Sequence, residues 1–265
     1  MHWGISEFSW GLAEVKKYLW LCGIVFPLLY SFSPAQGKNL EGQEILERAD
    51  EIRGGGRSVV LEATVTAFKS GKKDNQIKIE VLSIYKERKT LIKSLYPPRD
   101  KGRFMLMVGD DFWIYLPHTK RPFRISPLQR LLGDATYADI ARPTYSGDYY
   151  VSLLREEAFK DKECYILELL AKNKKVAYHR VIYWVEKETF RPLRADFFVV
   201  SGKSMKTAFF ENYEYKEDLK RYISTELRII DYFRKDEETL IEYTMIKPQE
   251  LADKIFSREH LEKMR

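Results

Sequence analysis

Residues 103–126, RFMLMVGDDFWIYLPHTKRPFRIS, constrain this chain more than any other stretch. Apolar runs alternate there with residues that reverse a backbone. Arg103 to Val108 is an apolar run with two methionines. Gly109-Asp110-Asp111 follows, and Gly and Asp tolerate the backbone angles of a tight reversal. Phe112 to Leu116 is aromatic and β-branched, Pro117-His118-Thr119-Lys120 turns again, and a third run starts at Pro122. Runs this short, divided this often by turn residues, predict antiparallel strands.

The same pattern extends in both directions. Val59, Leu61, Ala63, Val65 and Ala67 alternate with polar residues, and so do Ile77, Ile79 and Val81 after a turn at Ser70 to Asp74. This predicts a hairpin with one apolar and one wet face. Thr90 to Leu95 is a further strand. Beyond Tyr149 come seven more runs: 149–159, 163–171, 177–186, 191–200, 205–215, 222–231 and 238–246. Short polar turns between them argue for an up-and-down meander. Two places break the pattern. Leu40 to Ile52 reads as a helix, with Ile45, Ala49 and Ile52 on one face and glycines at its end. Pro127 to Gly133 and Thr136 to Ala141 read as two short helices between strands. Their Leu128, Leu131, Leu132, Tyr137 and Ile140 are too apolar for an uncovered loop. Roughly eleven to thirteen strands result, and a sheet of that size curls because strand twist accumulates.

Composition narrows the function. With 265 residues, 45% of them hydrophobic, the chain can build a substantial core. Its net charge of +6 is mild. It permits attraction to an anionic lipid surface and is no nucleic-acid signature. His2, His118, His179 and His260 share no ligand spacing, so no metal site is predicted. Neither a phosphate-binding loop nor a Gly-x-Ser-x-Gly elbow is present. Asp110-Asp111 reads as turn chemistry, Asp161 and Glu163 as turn and strand-edge residues, and Lys120-Arg121-Arg124 as a solvated basic hairpin. A hydrolase would need a nucleophile–base pair that none of these motifs supplies.

The N-terminus carries a leader pattern. Lys16-Lys17 precede an apolar run of about a dozen residues, and Ser33-Pro34-Ala35 supply small residues for cleavage after Ala35. The signal therefore spans roughly residues 15–35, with Val15 as the expected true start and 36–265 as one exported domain. The apolar run is too short to span a bilayer comfortably. Leu21 before Cys22 is wrong for a lipid-anchored protein, which favours a soluble one. Cleavage removes Cys22 and leaves Cys164 alone, so no internal disulfide is expected.

Several features fall in a familiar order. A rigid turn at Tyr96-Pro97-Pro98-Arg99-Asp100-Lys101-Gly102 leads to the strand that ends in Gly109-Asp110. An aromatic strand closes on Leu116-Pro117, and basic residues then lead to Ile125. Further on come Trp184 to Leu193, a strand, polar turn and Arg-Pro, and the closing segment Phe256 to Leu261. From about Leu40 to the C-terminus the chain resembles the outer-membrane lipoprotein-sorting protein family, relatives of the periplasmic lipoprotein carrier with the LolA-like fold. That resemblance implies a mainly β fold, a strongly curved antiparallel sheet forming an unclosed β-barrel with a helical lid. It also implies a periplasmic, non-enzymatic, monomeric carrier of lipid or lipoprotein acyl chains without a cofactor. An inner-membrane exporter or outer-membrane acceptor would be its partner.

Strand parity gives the expected cavity residues: Leu61, Ala63, Val65, Ile77, Ile79, Val81, Met105, Met107, Trp113 and Tyr115. Leu128, Leu131, Leu132, Tyr137 and Ile140 form the expected lid. Methionine and flat rings suit acyl chains of varying shape. The same letters also spell a filled core. The alternative is then a rigid scaffold serving a membrane exporter.

Overall fold

The computed structural model describes residues 41–264, apart from 55–57, 120 and 235. The leader, its cleavage after Ala35 and the start at Val15 lie outside the described residues, as does Lys120 of the basic hairpin.

A first helix, α1 (Gly42–Arg53), precedes six strands: β1 (Ser58–Lys69), β2 (Lys72–Ile84), β3 (Lys89–Tyr96), β4 (Phe104–Val108), β5 (Asp111–Tyr115) and β6 (Phe123–Ile125). The β1–β2 hairpin turns at Ser70-Gly71, where both residues have positive φ, so glycine is the natural occupant of the second place. A crossing segment contains β7 (Arg130–Leu132), β8 (Ala135–Thr136) and α2 (Tyr137–Ala141). The second meander is β9 (Tyr149–Phe159), β10 (Lys162–Ala171), β11 (Arg180–Glu186), β12 (Pro192–Phe198), β13 (Ser204–Lys216), β14 (Arg221–Asp231) and β15 (Glu237–Pro248). The short helix α3 (Arg258–Lys263) closes the described chain.

Among the described residues 13 strands form one curved antiparallel sheet, in the order β6-β5-β4-β3-β2-β1-β15-β14-β13-β12-β11-β10-β9. The two meanders join where β15 pairs with β1. β6 and β9 are its edges and do not pair with each other, so the barrel is unclosed.

Register decides which residues share a face, because side chains alternate along each strand. Leu61 pairs with Val81, Val81 with Ile92, Ile92 with Met105, and Met105 with Ile114. This row lies in the main core together with Ile45, Leu46 and Ala49 of α1. One step along each strand, Val60, Leu82, Leu91, Leu106 and Trp113 make a second row. That row packs on the opposite face with Phe256 and Leu261 of the C-terminal segment. β4 is therefore buried on both faces, which is why its sequence shows no alternation.

Two expectations need correcting. Trp113 and Tyr115 belong to the outer cluster, and Phe112 and Ile114 take their places on the inner face. The predicted pair of lid helices is instead a turn, the small β7–β8 hairpin and a single short helix. The leucine spacing at 128, 131 and 132 mimics a helix. Gly133, however, sits at φ +52 against Thr239 and Ala67, and that contact sets an extended hairpin.

Candidate ligand-binding site

The inner face is lined by strands from both meanders and covered by α1 and the segment 126–149. Leu61, Ala63, Val65, Ile79, Val81, Met105 and Met107 are buried together there, with Ile77 partly buried at the margin. Of the lid residues, Tyr137 and Ile140 are buried in this cluster, while Leu128, Leu131 and Leu132 pack against it partly exposed. Sequence reading missed Tyr145, Tyr149, Tyr178, Tyr183 and Phe197, which fill the side under β10–β12.

Polar side chains hold the covering segment in place. At its tip the backbone N–H of Asp134 donates to Thr239 Oγ1 at 2.8 Å. A β-carbon on Gly133 would press into that hydroxyl and stand 3.0 Å from Ala67 Cβ, so glycine alone admits the approach. Along α2, Asp139 accepts from the Thr136 N–H at 2.7 Å, from the Tyr178 hydroxyl at 2.6 Å and from Lys206 Nζ at 2.6 Å. Lys206, on β13, also donates to the Asp134 carbonyl at 3.2 Å. A buried ion pair is tolerable only when its remaining hydrogen-bonding capacity is met in this way. At the end of α2, Thr90 Oγ1 donates to the Ala141 carbonyl at 3.1 Å.

A second cluster anchors the exit of the segment. Arg142 donates to Asp148 at 2.9 Å, to Asp110 at 3.0 Å and to the Gly109 carbonyl at 2.7 Å. Arg88 donates to the same two carboxylates at 2.6 Å each. Burial works to raise the Asp110 carboxyl, but the Arg142 and Arg88 guanidiniums beside it hold it below the usual carboxylate range. Asp110 is thus more than a turn residue. Its neighbour Asp111 pairs with Arg124 at 2.6 Å.

α1 is tied to the same segment. Asp50 is buried and accepts the Tyr145 N–H at 2.9 Å and the Ser146 N–H at 2.7 Å. Burial pushes its carboxyl up to about 6 despite those donors.

Open space lies in several clefts. A cleft of about 640 Å³ runs between Phe112, Ile125 and Leu128 on one side and Val176, Tyr178 and Phe198 on the other. Arg124, Lys174, Lys175 and His179 stand on its rim with Asp110 and Asp111. Another cleft, about 720 Å³, lies over the outer face beside Leu95, Phe104, Tyr115, His118 and Met264. A partly open space of about 60 Å³ lies between the end of α1, α2 and β14, lined also by Arg221. Cys164 is buried in a separate outer cluster, and burial pushes its thiol up to about 11, a structural and unreactive state. Among the described residues no group of three His, Cys, Asp or Glu side chains is placed to hold a metal.

The fold recurs in solved proteins. A LolA-superfamily protein of Nitrosomonas europaea is 32% identical, covers 83% of this chain and 99% of its own, and superposes with a TM-score of 0.78. The chain belongs to the LolA superfamily. A family model described as "-like: Uncharacterized protein" matches residues 86–263. Two more distant structures share the superfamily fold. A DUF1329-family protein of Desulfovibrio piger is 24% identical over 83% of this chain and 97% of its own, TM-score 0.72. A domain named for outer membrane lipoprotein sorting, from Vibrio parahaemolyticus, is 21% identical over 83% and 98%, TM-score 0.71. No curated protein matches the sequence.

Proposed function

We propose that this chain is a non-enzymatic carrier that takes up acyl chains of a lipid or lipoprotein on the inner face of its sheet. The observation that carries the reading is the way the inner face is covered. An apolar surface of Leu, Ile, Val and Met lies beneath a segment whose attachments are discrete and polar: Asp134 to Thr239, Asp139 to Lys206, Arg142 to Asp148. Such attachments can be exchanged as a set without unravelling the sheet. An acyl chain would replace the plug's contacts at about 25 cal/mol per Å² of apolar surface removed from water. Membership of the LolA superfamily supports the same reading, as does the lipoprotein-sorting name of the Vibrio relative. Export by the leader at residues 15–35 would place the domain in a periplasm. There an inner-membrane exporter would load it or an outer-membrane acceptor would empty it.

The small space beside α2, about 60 Å³, favours a second reading. In it the inner face is a permanently filled core, and the domain is a scaffold partnering a membrane exporter.

Native mass spectrometry and lipid extraction of the protein produced from the full chain separate the two. Co-purified phospholipid or acylated peptide, lost on substituting Met105 and Phe112, is the expected result. A bare protein mass with no uptake of added lipid would leave the scaffold.

A further inference from the structure

Arg53 is the last residue of α1, and the helix carries its side chain inward. The guanidinium carbon lies 4.8 Å from the ring centre of Tyr145 and 4.6 Å from that of Phe210. Both rings meet Tyr183 edge-on, with centroids at 5.4 and 6.0 Å. Aromatic faces attract a cation, and the Tyr145 hydroxyl also bonds the guanidinium, which leaves part of its edge unanswered. Arg53 Nη1 is buried without a hydrogen-bond partner, and so is the Tyr183 hydroxyl in the same cage. Asp50, one turn back on the helix, is turned to the backbone N–H groups of Tyr145 and Ser146.

A buried donor left unmatched is unfavourable, and a Met or Leu would fill the same aromatic slot without that penalty. The place where Arg53 stands gives a reason for a cation. It lines the 60 Å³ space, whose other walls include Leu61, Ile140, Leu227, Tyr243 and Ile246. At roughly 30 Å³ per liquid water, that is room for about two waters. It suits the oxygens of a small anionic group and excludes a hydrocarbon chain. One wall is Ile140 of α2, which also belongs to the apolar cluster of the inner face, so the space borders that face.

We propose that Arg53 receives the oxyanion head, carboxylate or phosphate, of an acyl ligand at the inner end of this face. The inference rests on the carrier reading and narrows it to a single-chain ligand with a bare oxyanion, whose head goes in first while the chain follows under α2. The aromatic cage holds the guanidinium in position before the ligand arrives, so little side-chain freedom is lost on binding.

The test compares dodecanoate, dodecyl phosphate and dodecanol by calorimetry on the delipidated protein. It is done at pH 8, where the carboxylate is ionised. Physiological ionic strength screens surface charge beyond about 8 Å. The two anionic probes should bind about tenfold or more tightly than dodecanol, the scale of one hydrogen bond to a charged group. Arg53→Met should abolish the difference between the anionic probes and dodecanol, and Arg53→Lys should retain part of it. Equal binding of the three probes to the unmodified protein would overturn the role of Arg53 and leave the carrier intact. So would an Arg53→Met variant that keeps the preference. Failure of all three probes to bind would remove the carrier reading and this inference with it. The comparison on the unmodified protein decides the matter even if the variants fold poorly. The stronger of the two anionic probes identifies the class of head group.

Discussion

Lys206 on β13 and Asp139 on α2 meet at 2.6 Å with 1% and 4% of their side-chain surface exposed. The pair joins the covering segment to the sheet across the interior. Removing one partner strands the other charge in a medium that solvates it poorly. Lys206→Met should therefore lower the unfolding free energy by about 3–5 kcal/mol. Asp139→Asn should cost a similar amount, because Lys206 is left charged and buried and the amide nitrogen, with the oxygen kept on Tyr178, faces the Lys206 ammonium and the Thr136 N–H. Urea titrations of both variants and of the double variant check this. Additive effects in the double variant would mean that the two residues are not coupled.

Gly133 should resist substitution for two separable reasons. Its φ of +52 disfavours any side chain, and a β-carbon would collide with Thr239. Gly133→Ala should destabilise by at least about 1 kcal/mol. In a Thr239→Ala background the collision with the hydroxyl is removed, while the backbone part and the 3.0 Å approach to Ala67 persist, so the penalty should shrink without vanishing. Thermal denaturation of the four proteins reads both parts.

Asp50 should make stability fall as pH rises. Its folded pKa, about 6, lies above its ordinary value of 3.8, so the folded state holds the proton more tightly than the unfolded one. The contribution is fully present below about pH 4 and is lost as pH rises through 6. The total is about 3 kcal/mol. Asp110 and Glu211, whose carboxyls are held low by arginines, act in the opposite sense. The measurement is therefore the difference between the unmodified protein and Asp50→Asn in unfolding free energy from pH 4 to pH 7. A difference that does not change across that window would contradict the assignment.

The two faces of β5 should separate in a binding assay. Phe112→Ala should weaken uptake of a fluorescent fatty acyl probe, whereas Trp113→Ala should leave it unchanged and act only on stability. Trp113 faces outward and is stacked on by Arg124 and Arg258, at 5.2 and 4.7 Å from its ring centre. Equal losses in the two variants would mean that the probe binds outside the inner face.

Leu131→Asp with Leu132→Asp should also weaken the probe while the fold persists. Both leucines are only partly buried, and they belong to the cover rather than to the sheet. Unchanged affinity would show that the cover takes no part in binding.

How far the sequence foretold this arrangement differs from element to element. The β1–β2 hairpin was legible because its two faces meet different surroundings, so Val65 and Ile77 alternate with polar neighbours. β4 hid its parity because Phe104 and Leu106 are as buried as Met105 and Met107. Carrying a phase across such a strand put Trp113 and Tyr115 on the wrong face. The polar attachments of the cover left no local trace. Lys206 and Asp139, or Arg88 and Asp148, are far apart in sequence, and each alone reads as a surface charge. Arg53 misleads most simply: a cation in the last turn of a helix is what the helix dipole favours on any exposed helix.

The sheet stops pairing at β6 and β9 instead of joining them. A closed barrel has a girth dictated by its number of strands and their shear. Here no such quantisation applies. The C-shaped wall can bend to a wider or narrower bore with every interstrand hydrogen bond kept, because no ladder bridges the gap. The polar clasps of the cover and its apolar packing on the inner face resist. The fold thus places its elastic freedom in one seam, and the calibre of the interior is set by side chains rather than by strand count.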